Sequence, residues 1–125
     1  MKINEFIKKY RIVKKIIPGV TSSHTPHVIC KDGFKMSVQA GQSLYSTPKD
    51  VVDNYEEMEV GYPSEEEYLL AKYAEDGENL CETVYSFVPV NLIDKIIEKH
   101  GGIDITAVKQ KDNRKYRSTG KQLTI

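Results

Sequence analysis

The chain has 125 residues, 39% of them hydrophobic and 29% charged, and its 18 basic and 18 acidic residues leave no formal net charge. This length and composition predict a single globular domain that can bury a core. No apolar run approaches the roughly 20 residues of a membrane span, and the charged N-terminus is unlike a signal peptide. We expect a cytoplasmic protein without membrane contact whose cysteines, Cys30 and Cys81, are reduced thiols, with a disulfide between them as the alternative.

The first half of the chain predicts one helix and several short strands. Apolar residues spaced three and four apart predict a helix over residues 3–10. Residues 11–17 are rich in Ile and Val and predict a strand that ends at Pro18–Gly19. Asp32–Gly33 predicts a hairpin turn between two further strands, the second of which alternates apolar and polar residues.

The next segment predicts a strand followed by a helix. Residues 55–63 alternate between acidic and larger side chains, as in a strand with one exposed face. Residues 64–77 begin with Ser64 and Glu67 at the spacing of a capping box and end at Gly77. This pattern predicts a helix over residues 64–77.

The clearest strand and the clearest helix follow each other near residue 90. Residues 82–90 alternate apolar and polar side chains until Pro89, and residues 91–102 carry an apolar stripe that ends at two glycines. Taken together, the elements predict an α+β domain with a small, mainly antiparallel β-sheet, an N-terminal helix and a packed helix near residues 90–100.

Charge is distributed in blocks although the whole chain is neutral. Residues 1–49 hold nine basic and two acidic residues, residues 53–82 hold one basic and eleven acidic residues, and residues 109–125 hold six basic residues and one acidic residue. Opposite blocks favour self-association or an anion site at the basic ends, although solvated surfaces have such blocks too. Within the single domain 1–125, residues 105–125 would form a basic C-terminal arm.

The sequence contains no set of residues that supports catalysis or a metal site. Pro26 separates His24 from His27 and prevents the helical spacing that would bring both rings to one metal ion. Ser23 and His24 are neighbours in an extended segment, where their side chains point to opposite faces. Neither a G-x-S-x-G motif nor a glycine-rich phosphate loop occurs. We therefore expect no metal, no cofactor and no enzymatic activity.

Several residues are instead suited to binding. Tyr85 and Phe87 share one face of the predicted strand, close to Asn91 at the start of the next helix. An aromatic ring can stack on a base, and an amide can pair with the edge of a base. Arg114 and Arg117 offer the paired donors that phosphate oxygens prefer. The alternative is that both aromatic residues belong to the core and both arginines lie in a tail.

Three segments, which together span residues 16 to 103, resemble the first Thoeris anti-defence family of small phage proteins. They read IIPGVTSSHTPHVICKDGFKMSVQAGQSLYSTP, EVGYPSEEE and ETVYSFVPVNLIDKIIEKHGGI. The resemblance implies a sponge, in the cytoplasm of the infected bacterial host, that binds the immune signal glycocyclic ADP-ribose without cleaving it. It also implies a homo-oligomer, a dimer or an assembly up to a hexamer, with ligand pockets between subunits.

The resemblance also implies roles for individual residues. Phe87 would stack on adenine, Asn91 would supply a polar contact, and Arg114 and Arg117 would clamp the diphosphate, with Tyr85 nearby. Some members have a separate site for cyclic oligonucleotides. That second site would fall on two short segments of this chain, with His24, Thr25, Met36 and Gln39 as its residues.

Three other functions remain open from the sequence. The acidic segment 53–82 can imitate nucleic acid and so bind a basic host protein. A phosphodiesterase acting on the same cyclic nucleotides would require His24, His27 and His100 to converge. A nucleic-acid binder would use the basic C-terminal arm, and its affinity would fall steeply with salt. We expect no binding of nucleic acid polymers.

Overall fold

The structure, a computed structural model, describes residues 1–108. Its helices and strands, in chain order, are α1 Ile3–Tyr10, β1 Ile12–Ile17, β2 Val20–His24, β3 Val28–Ile29, β4 Lys35–Gln39, β5 Glu57–Gly61, a 3₁₀ helix Tyr68–Tyr73, β6 Val84–Pro89, α2 Val90–Lys99 and a 3₁₀ turn Ile105–Ala107. The predicted α+β class, with a small antiparallel sheet, is confirmed. Arg114, Arg117 and most of the predicted basic arm lie outside the described residues.

Strands β3 to β6 form one antiparallel sheet in the order β3-β4-β5-β6. The hairpin predicted at Asp32–Gly33 is confirmed, because it joins β3 to β4 with Val28 opposite Met36. In the middle of the sheet, Val38 of β4 lies opposite Val60 of β5. None of the helices in residues 1–108 is long and apolar enough to cross a membrane.

One face of this sheet, the inner face, carries the core. Alternate residues of β4, β5 and β6 are buried there together with the apolar stripes of α1 and α2, and the fully buried side chains include Met36, Val38, Met58, Val60, Tyr85, Ile3, Phe6, Ile7, Ile93 and Ile96. The N-terminus of α1 is tied to α2, since the Ile3 N–H donates to Asp94 Oδ1 at 2.8 Å. Burial of each large apolar side chain contributes about 1.5–3 kcal/mol.

The opposite side, here called the outer sheet face, carries half-buried side chains, most of them polar. They are Ser37 and Gln39 on β4, Glu57 and Glu59 on β5, and Val84 and Ser86 on β6. The period of two along each strand places them opposite the core residues. This face is therefore the surface on which the sheet meets solvent or a ligand.

Strands β1 and β2 form a separate two-stranded hairpin. The strand predicted before Pro18–Gly19 is confirmed, whereas β2 was not predicted. Gln42 fixes the hairpin to the rest of the domain: its Oε1 accepts from the N–H and hydroxyl of Thr21 at 2.7 and 3.1 Å, and its Nε2 donates to the Gly19 carbonyl at 3.1 Å.

The helix predicted over residues 64–77 is wrong, because only the 3₁₀ helix Tyr68–Tyr73 forms there. The two expected capping residues have other partners. The Ser64 hydroxyl accepts from the Lys35 N–H at 2.9 Å, and the Glu67 carboxylate is buried against Lys99 and His100. Glu67 also accepts from the Leu69 N–H at 3.3 Å and so caps the 3₁₀ helix, which means that the capping box expected at Ser64 does not form.

Candidate functional site

Phe87 lies on a β-bulge that turns its ring out of strand β6. Met58 pairs with Val88 and Val60 pairs with Tyr85, so that β6 carries one more residue than β5 between these pairs. Phe87 has φ of 53°, a left-handed conformation that costs a bulky residue about 1–3 kcal/mol. Its side chain is 36% exposed. The fold therefore maintains a strained backbone at a residue that shows its ring to solvent.

Tyr45 completes an aromatic pair with Phe87. The two ring centroids are 5.8 Å apart and their planes are tilted by 49°. The Phe87 N–H donates to the Tyr45 carbonyl at 3.1 Å, and the Tyr45 N–H donates to Glu59 Oε1 at 3.2 Å. Lys49 Nζ lies 5.6 Å from the centre of the Tyr45 ring. The pair is thus fixed to the sheet through its backbone and has a cation beside it.

Carboxylate side chains lie on and beside the outer sheet face, next to this aromatic pair. Glu57 accepts a 2.6 Å hydrogen bond from the Thr47 hydroxyl, and Glu75 accepts one of 2.9 Å from Ser86. Carboxylates accept hydrogen bonds from amino and hydroxyl groups and repel phosphate. A nucleotide at this face would therefore bind by its base and ribose, with its phosphate groups directed away from the carboxylates.

Tyr62 is a second exposed aromatic residue with a strained backbone. It follows the last residue of β5, has φ of 50° and is 56% exposed. Its N–H donates to the Thr83 carbonyl at 3.1 Å. Tyr62 was not predicted as a site residue, since positive φ at a tyrosine leaves no signal in the sequence.

The structure separates the residues predicted to form the first ligand site. Tyr85 does not share a face with Phe87: its ring is fully buried in the core and its hydroxyl donates to the Leu80 carbonyl. Burial raises the pKa of Tyr85. Asn91 is exposed on the first turn of α2, where it lines an open groove of about 640 Å³ between the N-terminal residues Met1 and Lys2 and one side of α2. Phe87 does not line that groove.

The predicted second site is divided between the two faces of the sheet. Met36 is fully buried in the core. Gln39 lies on the outer face, where its side-chain oxygen accepts from the Thr25 N–H at 2.9 Å and its amide donates to the Thr25 carbonyl at 2.8 Å. Thr25 is buried, and His24 is exposed at the end of β2. In this arrangement the Gln39 amide positions the segment between the hairpin and the sheet.

A charged cluster around His100, in which the imidazole and Glu67 are buried and Asp32 and Lys99 are half exposed, was not predicted. His100 Nδ1 lies 2.6 Å from Asp32 Oδ2, and Nε2 lies 2.9 Å from Glu67 Oε1. Lys99 Nζ donates to both oxygens of Glu67 at 3.0 and 2.9 Å. The Phe34 ring stacks on the imidazole with centroids 4.0 Å apart. The sequence assigned Lys99 and His100 only to the end of a helix, because their acidic partners lie far away along the chain.

The hydrogen bonds of this cluster stabilise the charged forms of His100 and Glu67. Burial lowers the pKa of His100, but hydrogen bonds to Glu67 and Asp32 outweigh it and raise that pKa above 6.5. Burial likewise raises the pKa of Glu67, but hydrogen bonds from Lys99 and His100 lower it below 4.5. Both ring nitrogens of His100 are engaged, so the imidazole has no free nitrogen to act as a general base. The cluster ties the β3–β4 turn and the 3₁₀ helix to the end of α2.

The described residues also show how the thiols and possible metal ligands are placed. Cys30 and Cys81 are free thiols, and burial, with a contribution from Asp32, raises the pKa of Cys30 to about 11, which makes it a poor nucleophile. Residues 1–108 contain no group of three or more His, Cys, Asp or Glu placed to hold a metal ion.

The aromatic pair Tyr45–Phe87 on the outer sheet face is therefore the strongest candidate for a binding site in the described part of the chain. Its evidence is the strained, exposed ring, the fixed partner ring and the polar side chains beside them. Searches with protein-family models, curated proteins and solved structures give no match for this chain.

Proposed function

We propose that this chain is a phage counter-defence protein that binds the nucleotide signal glycocyclic ADP-ribose and sequesters it without cleavage in the cytoplasm of the infected host. The observation that carries the proposal is Phe87, whose ring is presented to solvent by a left-handed β-bulge. A ring fixed in this way loses little conformational entropy when a base stacks on it. The choice of signal rests on the resemblance of the three sequence segments.

The surroundings of Phe87 suit the base and ribose of such a ligand. Adenine would stack on the aromatic pair, while Glu59 and Glu57 would accept hydrogen bonds from its amino group or from ribose hydroxyls. The diphosphate would lie on the side of Lys49, whose ammonium group is already placed beside Tyr45. Arg114 and Arg117 stay predicted phosphate contacts, whereas Asn91, which lines a different groove from Phe87, is not part of the proposed site.

The required affinity favours an enclosed site. A sponge that competes with a receptor needs a roughly nanomolar dissociation constant, about −12 kcal/mol. One aromatic stack contributes about 1–3 kcal/mol, and one charge-assisted hydrogen bond about 1.5–3 kcal/mol. Several such contacts must converge, which an open sheet face provides only when another surface covers it. We therefore retain the homo-oligomer as part of the proposal.

A second candidate function is inhibition of a basic host protein. The observation in its favour is the line of carboxylates on and beside the outer sheet face, including Glu57, Glu59 and Glu75. Such a complex would weaken strongly as salt screens the charges, whereas stacking on Phe87 would change little.

Substitution of Phe87 by glycine tests the proposed site. Glycine removes the ring and also relieves the left-handed backbone, so the variant should be at least as resistant to thermal unfolding as a Phe87→Ala variant. We expect Phe87→Gly to weaken glycocyclic ADP-ribose binding, measured by calorimetry, by about 10- to 100-fold.

Tyr68→Ala provides the matched control, since Tyr68 is an exposed aromatic residue on the 3₁₀ helix, and it should bind like the unmodified protein. Equal affinity of Phe87→Gly and the unmodified chain would show that the aromatic pair is not the binding site.

A further inference from the structure

Strand β1 forms an uncovered edge in the part of the chain that the structure describes. The two edges of the four-stranded sheet are each met by another segment, since Ile103 pairs with Cys30 next to β3 and Ala74 pairs with Tyr85 of β6. Strand β1 pairs only with β2, and within residues 1–108 no strand lies on its other side. Proteins usually cover or shorten such an edge, because its backbone groups can pair with another strand.

The hydrogen bonds of β2 show which backbone groups of β1 point outward. The Thr21 N–H donates to Gln42 Oε1 at 2.7 Å, so it points away from β1. Opposite residues of an antiparallel pair alternate between pairs that exchange both backbone hydrogen bonds and pairs that exchange none. Lys15, which lies opposite Thr21, therefore directs its own N–H and carbonyl away from β2. The same alternation gives the backbone groups of Val13 this outward direction.

These outward backbone groups are accessible to a partner. Among residues 1–108, the backbone hydrogen bonds made outside the strand ladders include none from Val13 or Lys15. All of residues 13–17 are exposed, so neither face of β1 is covered there. A strand placed beside β1 would therefore find donors and acceptors two residues apart, which is the repeat of an antiparallel ladder.

The side chains of the hairpin restrict which strand can be added. Residues 6–31 contain six basic residues and no acidic residue, and Lys15 is exposed beside the outward backbone groups. Val13, Ile16 and Ile17 are 39, 57 and 60% exposed. Opposite charges and β-branched residues are favourable neighbours across two strands, whereas like charges are unfavourable. The matching strand therefore combines acidic with aliphatic side chains.

We propose that β1 binds an extended acidic segment of a partner protein, which adds a third strand to the β1–β2 hairpin. Hydrogen bonds to the backbone of Val13 and Lys15 supply affinity, as in other cases of strand addition. The Lys15 ammonium group selects acidic side chains, and the exposed aliphatic residues of β1 pack against those of the added strand. This interaction uses a different surface from Phe87 and does not rest on the proposed function.

Two short synthetic peptides test the added strand on the full chain, one alternating Glu with Val and the other alternating Lys with Val. Calorimetry measures their affinity, and NMR measures the exchange of single amide hydrogens. We expect the Glu–Val peptide to bind about tenfold or more tightly than the Lys–Val peptide. It should also slow amide exchange at Val13 and Lys15 by about tenfold or more. Exchange at Lys14, whose N–H points towards β2, should change little.

Two substitutions of Lys15 separate the backbone contact from the charge. Lys15→Pro removes the outward N–H at a position where a sheet edge tolerates proline, and it should bind the Glu–Val peptide about tenfold more weakly than Lys15→Gln. Lys15→Gln keeps the N–H, and its preference for the Glu–Val peptide should shrink. Unchanged exchange in β4 to β6 verifies that both variants are folded.

Four results would each overturn the proposal. They are absence of binding by the Glu–Val peptide, a preference for the Lys–Val peptide, binding that leaves exchange at Val13 and Lys15 unchanged, and equal binding by Lys15→Pro and Lys15→Gln. Protection of the two amides that rises with protein concentration, without any peptide, would overturn it as well, since a second copy of the chain would then cover the edge.

Discussion

His100 is held between two carboxylates that come from distant parts of the chain. Asp32 and Glu67 precede it by 68 and 33 residues, and Phe34 covers the face of its ring. Because the imidazole and the Glu67 carboxylate are both buried, each needs the other for its charge to be tolerated. This residue therefore links the stability of the fold to pH.

The pH dependence follows from the directions of the pKa shifts. The pKa of His100 is raised above 6.5, so its stabilising contribution is complete below pH 6.5 and is lost as the pH rises through the folded-state pKa. The pKa of Glu67 is lowered below 4.5, so its contribution is present above that value and is lost in stronger acid. The cluster therefore stabilises the folded state most between about pH 4.5 and pH 6.5.

A His100→Gln variant should therefore be destabilised in a pH-dependent way. We expect a loss of about 3 kcal/mol in the free energy of unfolding near pH 5.5, because the buried Glu67 carboxylate loses one of its two cationic partners and keeps only Lys99. The loss should be smaller near pH 9, where the unmodified imidazole is less protonated. Urea unfolding at both pH values measures the difference. A loss that is equal at both pH values would contradict a charged His100.

At the scale of elements, Gln42 anchors the β1–β2 hairpin through three hydrogen bonds. In a Gln42→Ala variant we expect amide hydrogen exchange in β1 and β2 to become about tenfold faster, since lost hydrogen bonds weaken local closure by about 1 kcal/mol or more. Exchange in β4 to β6 should not change. Gln42→Glu keeps the acceptor for Thr21, so its exchange rate in β1 and β2 should lie between those of the unmodified chain and Gln42→Ala. Unchanged exchange of the hairpin in both variants would contradict this anchoring.

The elements also show which parts of a fold a sequence can predict. Helices α1 and α2 and the Asp32–Gly33 hairpin are confirmed, because their signals are local apolar spacing and turn chemistry. Strand β2 lacks an apolar pattern and is positioned by Gln42, far away in sequence. The predicted helix over residues 64–77 is wrong for a related reason, since Glu67 takes its partners from α2.

The candidate site was predictable to the same limited degree. Phe87 was named from its strand, but the bulge that separates it from Tyr85 depends on the register with β5. Tyr45 comes from a loop and joins Phe87 only through the folded chain. Sequence spacing identifies side chains of suitable chemistry, whereas long-range pairing decides which of them meet.

At the scale of the whole molecule, the charge blocks of the sequence fall on different elements of the fold. Lys14 and Lys15 lie on strand β1, whereas Glu65 and Glu66 are exposed just before the 3₁₀ helix. In the homo-oligomer that is part of the proposed function, such blocks would favour contact between copies over repulsion.

The measurement that tests the central claim most directly is a calorimetric titration of the full chain with glycocyclic ADP-ribose, followed by heat denaturation and analysis of the released ligand. We expect a dissociation constant in the nanomolar range and recovery of the intact ligand. Absence of binding would contradict the proposed function, and recovery of an altered ligand would show that the chain is an enzyme.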